Sequence, residues 1–208
     1  MAINRLSQST AQSAFPKFTN FWDGTTATSS FDSLGSIVVS TATATVTFSS
    51  IPQTYTHLQV RWTALTTRTT YGYDAMTFRV GNLNSIDSGS NYTWQVMRSA
   101  GASATTGSTG SADSMWYLDW GFGTTVSSYP MSAVIDILDY TNTTKAKSMR
   151  GIYGGDTNGA IGGVYGSINL VGGSWFKSGL PAINTMSFTS YNSNNIAPGT
   201  VFTLYGVK

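Results

Sequence analysis

Three features of the 208-residue chain predict an all-β domain, a β-sandwich or jelly roll, preceded by an extended N-terminal arm. The first is composition: 28 Ser, 31 Thr, 22 Gly and 12 Asn stand beside only 10% charged residues. All nine acids are Asp, and Lys and Arg together number 11, so the usual surface helix formers are scarce and a helical bundle is excluded. The second is a period of two in apolar residues over most of the chain, the mark of half-buried strands. The third is a change of pattern near residue 35.

Residues 1–34 place isolated aromatics (Phe15, Phe18, Phe21, Trp22 and Phe31) among small polar residues, with no sustained period. Aromatics so arranged cannot cover one another, so the segment reads as an arm that docks on another surface. Residues 35–208 form the predicted sandwich. Over Ile37–Phe48, Ala42, Ala44, Val46 and Phe48 alternate with threonines and predict one strand, which Pro52 ends. His57–Leu65 repeats the pattern, with Leu58, Val60, Trp62 and Ala64 on the inner face. Further strands are expected at 75–80, 92–97, 115–120, 132–140, 147–153, 162–170, 184–191 and 201–205. Between them, Ser99–Ser114 has almost nothing to bury and reads as a long surface loop. Gly151–Gly166 reads as a hairpin turning at Asp156–Gly159, where Asn-Gly supplies positive φ.

Charge and motif exclude several function classes. A net charge of +2 with no basic run offers no stripe for a phosphate backbone, so no nucleic acid is expected as partner. With no Cys there is neither a disulfide framework nor a thiolate metal site. No apolar run is long enough for a signal peptide core or a bilayer span, so no membrane insertion is expected. The glycines lack the strand-then-helix setting of a dinucleotide fingerprint and the Lys-Ser/Thr of a P-loop. No cofactor is implied.

Catalytic constellations are equally thin. His57 is the only histidine, stands on a polar strand face and has no acid beside it in sequence. Asp136 and Asp139 are three apart and would point to opposite faces of a strand, the wrong arrangement for a glycosidase pair. Asp156–Asn158 offers oxygen ligands for calcium, but without EF-hand spacing. The aromatics are a stronger signal: six Trp, eleven Tyr and ten Phe. In Met115–Trp120, Trp116, Leu118 and Trp120 share one face; if that face is core, Tyr117 and Asp119 stand outward. A ring beside an acceptor there suits plain packing or sheet-surface cover first, then a subunit interface or a glycan contact.

Two stretches, FSSIPQTYTHL at residues 48–58 and LYGV at 204–207, resemble the opening strand pair and closing strand of a β-sandwich module in structural proteins of tailed bacteriophages. The resemblance implies a non-enzymatic part of the virion exterior, of fibre, adhesin or decoration type, assembled in the host cytoplasm. It carries over no site residue. Together with the arm it sets the expectation of an outward-facing protein whose Phe15, Phe18, Phe21 and Trp22 bind other virion proteins of tail or capsid. A tail fibre or receptor-binding component comes first, with a capsid decoration protein as alternative and a carbohydrate-binding module or polysaccharide hydrolase third. A homo-oligomer and a host surface glycan are the further partners expected.

Overall fold

A computed structural model describes residues 31–101, 105–126, 128–161 and 164–208, with the backbone alone over 158–161 and 164–165. The expected arm lies outside these residues except for its last four. Phe31 already opens β1 (Phe31–Val38), so positions 31–34 belong to the sandwich rather than the arm. The chain continues through β2 (Thr45–Phe48), β3 (His57–Thr66), β4 (Tyr73–Asn82), β5 (Ser85–Ile86), β6 (Tyr92–Ala100) and β7 (Thr106–Asp113). It ends with β8 (Trp116–Thr124), β9 (Met131–Leu138), β10 (Lys147–Ile161), β11 (Val164–Trp175), β12 (Thr185–Ser190) and β13 (Val201–Val207). The protein is all-β, with no helix among the described residues.

The strands make two antiparallel layers. The first runs β1-β13-β3-β9-β10-β11-β6-β7; the second runs β2-β12-β4-β8, with β5 beside β4. The end of β3 leaves the first layer and pairs in parallel with β8, Leu65 opposite Gly123 and Thr66 opposite Thr124, which joins the layers. Alternation on β3 buries Leu58, Val60, Trp62 and Ala64 as the sequence predicts. Aromatic rings hold the layers together. Trp62 and Phe202 of the first layer meet Phe188 of the second at 5.9 and 4.8 Å, and Phe188 stacks on Phe78 at 4.6 Å. Rings of this size dominate the apolar area removed from water.

Three departures from the sequence reading have physical causes. The predicted strand Ile37–Phe48 is two strands in different layers: β1 pairs with β13, and β2 with β12. Ala42 and Ala44 are exposed in the crossing between them, a change of layer that local alternation does not reveal. The predicted Ser99–Ser114 loop contains β7, an edge strand on β6. An edge strand satisfies its ladder on one side and need bury no side chain, so a Ser/Gly/Thr sequence suffices. The β10–β11 hairpin exists, but pairing continues past Asp156 opposite Gly166 to Ile161 opposite Val164, so the reversal comes later than Asp156–Gly159.

The two ends of the body meet. β13 lies between β1 and β3, and the Tyr55 ring lies on Gly206, where an added Cβ would come within 2.5 Å of Tyr55 Cγ. The Tyr55 hydroxyl donates to Asp32 at 3.0 Å. Hence only glycine fits after Tyr205.

Asp87, 6% exposed, is a second fastening. It accepts from Trp175 Nε1 at 2.7 Å, Asn91 Nδ2 at 2.9 Å and the Gly89 amide at 3.1 Å. Burial works against its charge, but these donors and the Lys177 ammonium outweigh burial and hold the carboxyl below its ordinary value. A depressed carboxyl pKa contributes stability above the unfolded-state value, lost as pH falls through the folded-state value. Asp87→Asn is therefore expected to cost roughly 1–3 kcal/mol at pH 7. Its denaturant midpoint should also fall less than the parent's as the solution is acidified below the ordinary value of 3.8. Urea titrations at several pH values check both.

Candidate functional site

The two residues singled out on the Met115–Trp120 segment lie beside an irregularity in β8. Leu118 pairs with Met76 and Phe122 with Asp74, so Asp119, Trp120 and Gly121 stand opposite Ala75 alone. This bulge puts Trp120 at φ 61°, outside ordinary strand geometry. Gly121 passes so close to β4 that a Cβ there would come within 2.7 Å of Met76 Cβ. Trp116 and Leu118 are core, as expected. Tyr117 and Asp119 are half-buried rather than freely exposed, because side chains from β6 reach them.

The bulge assembles a strip of rings and charges. Trp120 stacks on Tyr73 with centroids 3.8 Å apart, and Tyr73 meets Tyr71 at 5.7 Å. Arg68 lies over Tyr71 at 4.5 Å and Arg98 over Trp120 at 5.0 Å. Arg98 also forms an ion pair with Asp119, and the Tyr117 hydroxyl donates to the other Asp119 oxygen at 3.4 Å. Tyr117 packs against Trp94 at 5.3 Å and Tyr191 at 5.0 Å. Tyr71 and Tyr191 are about half exposed, so the strip opens to solvent at both ends.

Burial sets its electrostatics. It pushes the Asp119 carboxyl above the ordinary carboxylate value, against the opposing pull of Arg98 and the Tyr117 hydrogen bond. Burial, followed by the nearby Asp119 charge, raises the Tyr117 hydroxyl, which therefore remains a neutral donor throughout the physiological range. Behind the strip, Arg98, Asn169 and Tyr153 are successive partners across β6, β11 and β10. Asn169 Nδ2 donates to Tyr153 O at 3.2 Å and Ser167 Oγ at 2.8 Å. Arg98 Nε, Tyr153 Oη and Asn169 Oδ1 carry further hydrogen-bonding capacity that no neighbouring side chain uses. Such an arrangement can stack a flat apolar face, accept from and donate to hydroxyls, and pair with charge; it contains no aligned nucleophile and base.

Of the sequence candidates, Tyr117 and Asp119 come together here, while Phe15, Phe18, Phe21 and Trp22 lie outside the described residues. Trp94, Arg98, Arg68, Tyr71 and Tyr73 were missed. One signal was legible: Arg98 continues the inward parity of Tyr92, Trp94 and Val96, a charge on an apolar face. His57 does find an acid, Asp139, with Nδ1 at 3.5 Å from Oδ1. That Nδ1, however, accepts the Asp139 backbone N–H at 2.9 Å, the opposite of a triad imidazole, whose Nδ1 donates to its carboxylate. Lys145 pairs with the same Asp139 and, against desolvation and with a smaller pull from His57, holds its carboxyl low. Asp136 is engaged separately, by Gln59 at 2.8 Å and Arg150 at 3.5 Å. Asp156 is in β10 opposite Gly166, not in a calcium-type loop. Among the described residues no three His, Cys, Asp or Glu cluster as a metal site.

Compared with known proteins, the chain matches no family model, and no curated protein or solved structure is significantly similar to it.

Removing Arg98 would leave Asp119 half-buried without its cation and raise its carboxyl further. A raised folded-state pKa favours the protonated native form, so stability is greatest at low pH and declines as pH rises through the folded value. Arg98→Gln is expected to lower stability by about 1–2 kcal/mol at pH 7 and by less at pH 4, as read from thermal midpoints at the two pH values.

Proposed function

We propose that the protein is a non-enzymatic structural component of a tailed-phage virion, anchored by its N-terminal segment and displaying the sandwich outward as a tail-fibre or receptor-binding element. The observation that carries the receptor-binding part is the strip around Tyr117 and Asp119. Exposed Tyr71 and Tyr191 flank stacked Tyr73 and Trp120, with Arg98, Asp119 and Arg68 interleaved. Ring faces cover the C–H face of a sugar while neighbouring charged and hydroxyl groups bond its polar edge, and both are present here in fixed relation. The FSSIPQTYTHL and LYGV stretches support the virion setting by resemblance. Binding energy comes from surface already held in place, so little ordering is required when a glycan arrives.

Purified protein is expected to bind host-surface polysaccharide, and the Tyr71→Ala/Tyr191→Ala double variant to lose at least about tenfold in affinity, roughly one stacked ring's contribution. Isothermal titration against extracted polysaccharide reads both. Undiminished binding by the double variant removes the strip from the reading, and cleavage of the polysaccharide replaces it with a hydrolase. Quantitative electrophoresis of virions should give few copies per particle; hundreds on the head would indicate capsid decoration instead.

A further inference from the structure

The outward face of the first layer carries an apolar stripe that none of the foregoing uses. Val134, Ile152, Leu170 and Met97 are successive direct partners across β9, β10, β11 and β6, so they stand in one row. They are 36, 49, 47 and 50% exposed, and Ile168, two residues before Leu170, is 64% exposed. Their neighbours along the strands, Ala133, Tyr153, Val171 and Val96, are buried in the sandwich core, which places the stripe on the solvent side. Four strands at about 4.8 Å and five residues at about 3.4 Å give this face roughly 19 by 17 Å. A contiguous exposed apolar row of this kind marks a contact surface.

The residues flanking the stripe say what fits it. On each strand the positions two before and two after the stripe residue point the same way as it does. On all four strands one of these is large and the other small. β11 has Ile168 on one side of Leu170 and Gly172 on the other, and β10 has Gly154 and Arg150 about Ile152. β9 has Ser132 and Asp136 about Val134, and β6 has Ser99 and Gln95 about Met97. Strand register sorts them into two rows: Asp136, Arg150, Gly172 and Gln95 on one side of the stripe, Ser132, Gly154, Ile168 and Ser99 on the other. A half-turn about the line of the stripe exchanges the rows. A second copy laid on this face therefore sets Ile168 over Gly172 and Arg150 over Gly154, in both directions. At Gly172 the surface is a shallow groove of about 550 Å³ bounded by Gln95, Met97, Thr109 and Leu170, which has room for an isoleucine side chain.

We infer that this face is a two-fold interface between copies of the chain, with the two stripes meeting along the axis and Ile168 of each copy seated in the Gly172 groove of the other. Sheets packed about 10 Å apart interdigitate their side chains, and a large residue opposite a glycine keeps that spacing. The charges suit the same arrangement. Arg150 Nε lies 3.5 Å from Asp136 Oδ2 within one chain, and the half-turn sets this pair over Gly154 and Ser132 rather than over a like charge. Arg61 ends the row on β3, with its guanidinium over the Phe31 and Tyr205 rings at 5.3 and 5.1 Å. It stands three strands from Leu170, roughly 14 Å, where twisted sheets packed face to face diverge. A patch on the order of 300 Å² per copy in projection is well below the roughly 800 Å² per partner of a standard interface. The pair is therefore a weak, reversible dimer, with a dissociation constant on the order of 10–100 μM. The inference does not depend on the virion reading.

Sedimentation equilibrium of the full chain, at concentrations from about 5 to about 500 μM, reads the association. A monomer–dimer equilibrium is expected, weakened at least about tenfold by Ile168→Lys, which sets a charge against the partner's groove. Gly172→Leu is the sharper variant. The Cβ it adds meets only the Met149 carbonyl oxygen, at an ordinary 3.8 Å, so the single chain accepts it. Its side chain fills the groove, and it should weaken the dimer by a similar factor although the surface has become more apolar. Leu83→Lys, at a position 85% exposed in the β4–β5 turn, should leave association unchanged. Thermal melts followed by circular dichroism establish that each variant is folded. A chain that stays monomeric at every concentration would overturn the inference. So would a dimer that neither Ile168→Lys nor Gly172→Leu weakens, or one that Gly172→Leu strengthens, since a non-specific apolar contact gains from an added leucine.

Discussion

The fold depends on one buried carboxylate being fully answered. Asp74 has no solvent exposure. It accepts hydrogen bonds from Thr66, Ser190, Asn192 and Asn194 side chains at 2.6–3.0 Å and from the Ala75 amide at 2.9 Å, with Arg68 at 3.5 Å. An ionised group so placed forfeits several kcal/mol of hydration, which only a complete set of donors offsets. Those donors come from the end of β3, the end of β12 and the loop after it. The place where β3 crosses between layers is therefore the place where the network closes, and the sandwich cannot splay there without stranding the charge.

The same constraint shapes the surface. Tyr73 adjoins Asp74 in β4, and Arg68 bonds both the Tyr73 carbonyl and the Asp74 carboxylate. From Tyr73 the stacking passes to Trp120, whose position follows from the bulge opposite Ala75. The aromatic strip is thus an outward continuation of a buried polar network, and its rings are held on both sides by backbone that has little freedom. The opposite, outward face of the first layer is built differently. It is a regular ladder whose apolar row follows from strand register alone. One sandwich thereby offers a rigid mixed-polarity surface and a plain apolar one, suited to different kinds of contact.

Much of the body was legible because alternation is a local property. The inner face of β3 and the core positions Trp116 and Leu118 follow from parity within each strand, since successive side chains must point to opposite sides. Parity does not say which layer a strand joins, so Ile37–Phe48 read as one strand although it crosses between layers. Nor does it detect an edge strand such as β7, where backbone pairing alone provides the reason for order. At the candidate site, parity separated Tyr117 and Asp119 from the core positions Trp116 and Leu118, but did not reveal their half-burial. Their partners lay beyond parity as well: Arg98 lies 21 residues away in another layer, and the irregular register at Trp120 depends on the opposing strand.

By itself the sequence determined that this is an all-β protein, poor in charge, with an aromatic-rich leading segment. The tertiary structure alone decided that Asp119 would face Arg98, that Tyr73 would meet Trp120, and that four exposed apolar side chains would line up across four strands. Composition and period act within a few residues of chain. Juxtaposition depends on pairings across tens of residues, which become definite only when the strands have taken their places in the two layers.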